Sequence, residues 1–434
     1  MNVLLVTDSF PPTCGGSGWS TYELARGMRE RGHQVLVVSA APATRGSESE
    51  TTYDGFRVIE YRVFAPPVPG LRNYLKNERT YRILSTRLQR LIADERIDIV
   101  HGQHVMSCVP AVEAAQLAGI PSVCTVRDYW PVCYRSDLLH SPRGLELCPG
   151  CSRAAGIQRG RPRTGVTGLA MTMARIYLEG NLRRKQTALI SADAVIAVSS
   201  RIAADLKARA PVLECARIQV IPNPVNTAAV CARAAATPPI AGPYALYVGK
   251  LAPNKGTSYL VDVIKRADLD WPLVIVGDGP DRVAFEQQAA HSGKDIRLVG
   301  WLDPAETATW LSHASLLIFP SSGPESLSRV LIEASALGIP IAAMNTGGTP
   351  DIIEDEVTGL LSATPEELAG DVRRLRSDTQ LRTRLGAAAA RHAREKFEAS
   401  SVAARVDALY QDISASAQLR RDKSASAKLR RDKR

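Results

Sequence analysis

The chain has 434 residues, is 45% hydrophobic and 23% charged, and carries a net charge of +10. That length exceeds what one hydrophobic core organises and predicts two or three domains, while the composition excludes a disordered or fibrous chain. The charge is uneven: residues 414–434 hold eight Lys/Arg against two Asp, so the rest of the chain is close to balanced.

In chain order, Val3–Val6 is a short apolar run that suits a strand buried on both faces. No cationic segment precedes it, so it reads as a first strand and not as a signal peptide. The turn-rich PPTCGGSG follows, and then Trp19, Tyr22, Ala25 and Met28 recur at helical spacing before a second strand at Val35–Val38. Strand, glycine loop, helix and strand make a βαβ unit. Ile97–Val100, Pro121–Val126 and Ala194–Val198 add strands. Residues 221–244 carry Pro at 222, 224, 238, 239 and 243 and predict an interdomain linker. The alternation then restarts with Ala245–Val248, Leu273–Val276, Ile296–Val299, Leu316–Phe319 and Ile339–Ala342, and Thr364-Pro365-Glu366-Glu367 is a helix-opening capping box.

The expected fold is α/β: two doubly wound Rossmann-like domains facing across a cleft. Their bounds are 1–222, a linker at 223–243, and 244–413 including terminal helices. SASAQLRRDK (414–423) is repeated as SASAKLRRDK (424–433). This tail reads as a solvated, disordered extension, with an electrostatic anchor on an anionic membrane as the other reading, each basic residue contributing ~1 kcal/mol. It has no aromatic to stack on a base, so no nucleic acid is expected. No run approaches the ~18 apolar residues of a membrane span. Eight Cys are too sparse for a disulfide scaffold, so a cytoplasmic address is expected, peripheral at the inner membrane face if the tail anchors.

Ligands of such sheets sit beyond the carboxyl ends of the strands. Gly15-Gly16-Ser17-Gly18 follows the first strand, where glycines let backbone N–H groups approach a phosphate at a helix start. Thr21 stands where a dinucleotide fingerprint needs its third Gly, which disfavours a nicotinamide dehydrogenase. Gly249 to Gly256 places Lys250 and Lys255 after a strand, two ammonium groups suited to a diphosphate. Glu325 and Glu333 lie eight residues apart, a little over two helical turns, so both carboxylates can face one side. Glu333 suits a ribose diol, and Glu325 suits sugar hydroxyls or the reacting centre. Gly347-Gly348-Thr349 is a second loop of backbone donors.

His101 and His104 end a strand and face either an acceptor or the core. Cys133, Cys148 and Cys151 with His140 could hold zinc, but a full pair of CxxC units is missing, and free thiols are the alternative. Residues 165–184 mix apolar and basic side chains, which suits core packing, a membrane surface or a flap over an acceptor.

The ordered set GGSG, DIVHGQH, TVRDYW, IPNPVN, GKLAPNKG, VGDGP, VGWL, FPSSGPESLSRVLIEASALGIP and NTGGTPDIIEDEVTGLL resembles the retaining glycosyltransferases of family 4, with the GT-B fold, over about residues 1–413. The resemblance implies a nucleotide-sugar donor on the C-terminal domain and transfer to a hydroxyl acceptor, whether glycan, lipid-linked sugar or small metabolite, with no cofactor and no metal. In it Lys255 matches the diphosphate lysine, and Lys250 stands where an arginine is usual. Glu325 and Glu333 match the paired glutamates, and Gly16 matches the loop glycine near donor and acceptor. Arg127 replaces the family's histidine beside Asp128. Arginine cannot serve as a general base, though it can bind an anionic acceptor group. Ser328 replaces a common glycine. Catalytic roles are thus expected for Glu325, Lys255, Lys250 and Arg127, and acceptor contacts for His101, His104, Arg127 and Asp128. A non-catalytic nucleotide-sugar-binding protein and a sugar-nucleotide epimerase share this architecture and stand as alternatives.

Overall fold

The computed structural model describes residues 1–65, 71–139, 147–148, 150 and 166–431. The first half contains β1 (Asn2–Thr7), α1 (Gly16–Glu30), β2 (Gln34–Ala43), β3 (Ser47–Tyr53), β4 (Phe56–Phe64), α2 (Leu71–Asp94) and β5 (Ile99–Gly102). It continues with α3 (Val105–Ala118), β6 (Ser122–Val126), α4 (Val166–Ser191), β7 (Ala194–Ala197), α5 (Ser200–Arg209) and β8 (Ile218–Val220). The second half runs α6 (Thr227–Arg233), β9 (Ala245–Val248), α7 (Thr257–Arg266), β10 (Leu273–Val276), α8 (Arg282–Ala290), β11 (Ile296–Gly300) and α9 (Pro304–Ser312). It ends with β12 (Leu316–Phe319), α10 (Arg329–Ala336), β13 (Ile341–Met344), β14 (Leu360–Ser362), α11 (Pro365–Ser377), α12 (Thr379–Phe397) and α13 (Ala399–Arg431).

The strands form two sheets, ordered β3-β4-β2-β1-β5-β6-β7-β8 and β11-β10-β9-β12-β13-β14. Each is parallel except at β3, which pairs antiparallel with β4. β1 and β9 sit at the points where strand order reverses. The loops that follow them, at 8–15 and 249–256, therefore open into the crevice where such sheets bind ligands. Both are buried on both faces: Val3, Leu4, Leu5 and Val6 are fully buried, as are Ala245 and Leu246. Each buried Leu or Val contributes roughly 1.5–3 kcal/mol.

Two local features follow the sequence and two depart from it. Thr364 caps α11 by accepting from Glu367 N–H at 3.2 Å, and Glu367 Oε2 accepts from Ala363 N–H at 2.7 Å. Tyr22, Ala25 and Met28 are buried along α1. β13 begins at Ile341, two residues later than expected, because Pro340 has no N–H for the ladder. The hairpin β3–β4 goes beyond the sequence reading, since SESETTY is polar throughout and lies exposed on the sheet edge.

The domain bounds need three corrections. The proline-rich segment is more than a spacer, because it contains α6, whose cap Asn226 accepts from Ala229 N–H at 2.8 Å. The last helix does not belong to the second domain: α13 crosses back onto the first, and an ideal Cβ on Gly27 would fall 2.4 Å from Ala403 Cβ, so α1 and α13 touch closely there. Asp407 pairs with His33 at 3.0 Å, and Arg420 with Asp193 at 2.6 Å. Finally, the repeat continues this helix to Arg431. Ala, Leu, Gln, Lys and Arg are good helix formers, and the packed residues 399–413 supply the nucleus that an isolated repeat would lack. Among the described residues no helix is long and apolar enough to cross a membrane.

The chain crosses between domains twice, and the crossings pair with each other. Val225 N–H donates to Phe397 C=O at 2.9 Å, and Ala399 N–H donates to Val225 C=O at 3.0 Å.

Candidate active site

Lys255 closes a short 3-10 turn (Pro253–Lys255) after β9, with its N–H bonded to Ala252 C=O at 2.9 Å. Its Nζ lies 2.5 Å from Glu325 Oε1, and Ser321 Oγ donates to the same oxygen. Glu325 is 8% exposed, so this carboxylate is almost fully withdrawn from water and depends on both partners. Two phenols pin the surrounding loops: Tyr247 Oη donates to Lys250 C=O at 2.9 Å, and Tyr259 Oη donates to Pro320 C=O.

Glu333 projects from α10, where Arg329 Nε holds its Oε1 at 2.8 Å. Lys250, Lys255, Arg329 and Glu333 line one wall of a cavity of about 360 Å³, and Gly15, Gly16 and Trp19 from the start of α1 line the other. Arg233 of α6 also reaches this cavity, its guanidinium 5.7 Å from the Trp19 ring centre. Four residues singled out from sequence, Gly16, Lys250, Lys255 and Glu333, thus meet at one cavity, and Glu325 joins them through Lys255. Arg329, Arg233 and Trp19 are additions. Nothing in their local spacing marks them as cleft residues; only the facing of the domains does. Burial pushes the Cys14 thiol at the cavity mouth up to about 11, so it stays protonated at neutral pH.

Gly347, Gly348 and Thr349 lie behind this wall rather than on it. Gly348 N–H donates to Glu325 C=O at 2.8 Å and Thr349 N–H to Thr346 C=O at 3.0 Å, so both donors are committed inside the protein. The loop seats the Glu325 segment through the Gly348 bond, while Thr349 Oγ1 is buried without a hydrogen-bond partner.

The acceptor-side residues separate into two groups. His101 is fully buried: its Nδ1 lies 2.6 Å from Tyr410 Oη and its Nε2 2.7 Å from Thr125 Oγ1, so it fastens α13 to the sheet and cannot reach an acceptor. Arg127 is 6% exposed and spends its guanidinium on protein oxygens. It donates to Gln103 Oε1 at 2.5 Å, to Gln103 C=O at 3.3 Å and to Asn223 Oδ1. Burial pulls it down to about 10, which still leaves it charged at neutral pH. The expected acceptor contact through Arg127 is therefore corrected to a clamp between two strand ends and the crossing segment.

His104 and Asp128 do come together, with Asp8 as a third member. His104 Nδ1 is 3.0 Å from Asp8 Oδ2 and its Nε2 is 3.4 Å from Asp128 Oδ2, beyond the ends of β1, β5 and β6. All three side chains are about a quarter exposed, at 23%, 23% and 25%. Burial alone would lower the His104 pKa, but Asp8 and Asp128 outweigh both burial and the opposing Arg127 charge, and raise it above the ordinary value. A histidine raised in this way stabilises the fold fully below its unfolded-state pKa, and the contribution is lost as pH rises through the folded-state pKa. His104→Gln should therefore lower stability near pH 6 by the ~1 kcal/mol of a partly exposed ion pair. Its deficit should shrink as pH rises. Calorimetric melts of both proteins across that range check this, and a pH-independent deficit would refute the charged pair.

Of the expected zinc set, Cys133 is buried and Cys148 half-buried, both as free thiols, while His140 and Cys151 lie outside the described residues.

The description "Glycosyltransferase Family 4" matches residues 14–229, and "Glycosyl transferases group 1" matches residues 233–392, so that the two together span both domains and the cavity between them. The chain belongs to glycosyltransferase family 4. As a family-4 member it is similar to the glycogen synthase of Mycobacterium tuberculosis, 27% identical over 399 residues and covering 87% of this chain and 86% of that protein. It superposes on the sucrose-phosphate synthase of Thermosynechococcus elongatus with a TM-score of 0.67 at 20% identity, covering 96% and 100% of the two chains. It also superposes on Anabaena HepE in complex with UDP with a TM-score of 0.64 at 18% identity, covering 95% and 100%. At those identities the structures establish the GT-B fold of this glycosyltransferase.

Proposed function

We propose that this glycosyltransferase transfers a sugar from a nucleoside diphosphate sugar to a hydroxyl acceptor with retention at the anomeric carbon. One observation carries the reading: Lys250, Lys255 and Glu333 share a cavity with the glycine loop of the opposite domain. Two ammonium groups match a diphosphate, a carboxylate matches a ribose diol, and the α1 start offers backbone N–H groups to the phosphates. The UDP carried by HepE is a ligand of this chemistry on the same fold.

In this reading Lys250 and Lys255 neutralise the departing diphosphate, the role a divalent cation would otherwise fill. Glu325, fixed by Ser321 and facing Lys255, holds the transferring sugar at its hydroxyls. The departing phosphate oxygen takes the acceptor's proton on the face it leaves, so retention needs no strong enzyme base. Rate comes from orientation in a closed cleft and from fixed charges aimed at the leaving group. The acceptor enters from the first domain, where His104, Asp8 and Asp128 offer hydrogen-bonding groups at the strand ends.

A thermal-shift panel of UDP, GDP, ADP and their sugars tests the donor assignment. A ligand that binds only the folded protein adds about 2.7 kcal/mol of stability at a hundredfold excess over its Kd. One base is expected to give a clear shift, and the matching sugar nucleotide should be consumed when acceptors are supplied. No shift with any of them would sink the reading.

A further inference from the structure

Arg329 occupies the first position of α10, where a cation faces the positive end of the helix dipole. Its cap, Ser328, makes no side-chain bond to the helix start. Across the cavity, the start of α1 at Gly15 also lacks a side-chain cap, and an ideal Cβ on Gly16 would lie 3.7 Å from Arg329 Cδ. Arg233, Lys250 and Lys255 line the same cavity. A site that gathers four cationic side chains and two helix starts is organised for an anion larger than one carboxylate.

The carboxylates already present are engaged. Glu325 takes Lys255 at 2.5 Å and Glu333 takes Arg329 at 2.8 Å. Both Arg329 and Glu333 are largely buried, at 13% and 19% side-chain exposure. The other arm of Arg329 donates to Pro224 C=O at 3.3 Å. Pro224 precedes Val225, the residue through which the two interdomain crossings pair. One guanidinium therefore touches the Glu333 carboxylate and the crossing segment, and lies at the edge of the opposite glycine loop.

We propose that Arg329 is a third cation for the donor's diphosphate, held in reserve by Glu333, and that ribose capture releases it. The inference rests on the donor reading above. When the ribose diol takes Glu333, the carboxylate exchanges an arginine for two hydroxyls. The freed guanidinium turns from Glu333 and Pro224 toward the phosphates beside Gly16. Donor binding thereby releases the Arg329 contact to the crossing segment at Pro224. The nucleoside part of the donor competes with Arg329 for Glu333, whereas the diphosphate gains from it.

The test compares full-length parent, Arg329→Gln and Arg329→Lys by calorimetric titration with the best-shifting nucleoside diphosphate and with its free nucleoside. Arg329→Gln is expected to bind the diphosphate about tenfold more weakly, the loss of one charge-assisted contact. It should bind the free nucleoside as well as the parent or better, and Arg329→Lys should recover most of the diphosphate affinity. The parent's diphosphate affinity should also fall more steeply with added salt than that of Arg329→Gln. If both ligands weaken equally in both variants, or neither weakens, Arg329 is a structural strut and the inference is overturned. A parent that binds none of the nucleoside diphosphates overturns the donor reading itself, an outcome visible before any variant is made.

Discussion

Lys255→Ala is expected to lower turnover by ~10²–10³ while the protein stays folded. A preorganised charge aimed at a departing group contributes about that much when it acts in a partly dry cleft. Lys255 ends a short 3-10 turn, and its Nζ already lies 2.5 Å from the carboxylate assigned to the transferring sugar. Removing it also leaves Glu325 at 8% exposure with Ser321 as its remaining side-chain partner, so a stability cost of ~1–3 kcal/mol should accompany the loss. Lys255→Arg separates the two effects, since it keeps the charge but alters reach and shape. Steady-state rates with the donor found in the thermal-shift panel, beside melting curves, decide the matter. A folded Lys255→Ala protein turning over at the parental rate would remove this residue from the chemistry.

A second large effect is expected at a residue that touches no substrate in this reading. Gly347 has φ +54°, and an ideal Cβ there would lie 1.9 Å from Glu325 O and 2.5 Å from Glu325 N. The obstacle is backbone, which cannot swing aside, so Gly347→Ala must displace the segment that carries Glu325. A shift on the order of 1 Å in a reacting constellation costs roughly 10²-fold in rate. Gly338→Ala is the matched control: its φ is +73°, yet its nearest neighbour, Gly386 O, is 3.5 Å away, an ordinary contact. Both variants should lose ~1–2 kcal/mol from placing a side chain in the left-handed region, but Gly347→Ala alone should lose activity. Equal activities for the two would show that the glycine loop does not position Glu325.

Gly347 also illustrates where reading the chain by spacing fell short. A βα loop written GGT looks the same whether its N–H groups await an anion or support a neighbouring turn; only the fold shows that Gly348 N–H supports the Glu325 backbone, more than 20 residues earlier in sequence. His101 and His104 make the same point more sharply. They are three residues apart at one strand end, yet one is sealed between Tyr410 and Thr125 and the other sits between two aspartates. Tyr410 comes from the far end of the chain, and no local pattern brings it there.

The chain by itself determined the two β/α alternations, the glycine loop opening α1 and the paired lysines after β9, because hydrophobic period and turn chemistry are local; the two-turn spacing of the carboxylates did not hold, since α10 begins at Arg329 and leaves Glu325 in the loop before it. Tertiary structure decided what depends on distant segments meeting. It returned α13 to the first domain, turned Arg127 into a clamp on the crossing segment, and set Arg329 against the glycine loop. A side chain's role follows from what faces it, and in two domains joined by a double crossing the facing residue can lie as far away in sequence as Tyr410 does from His101.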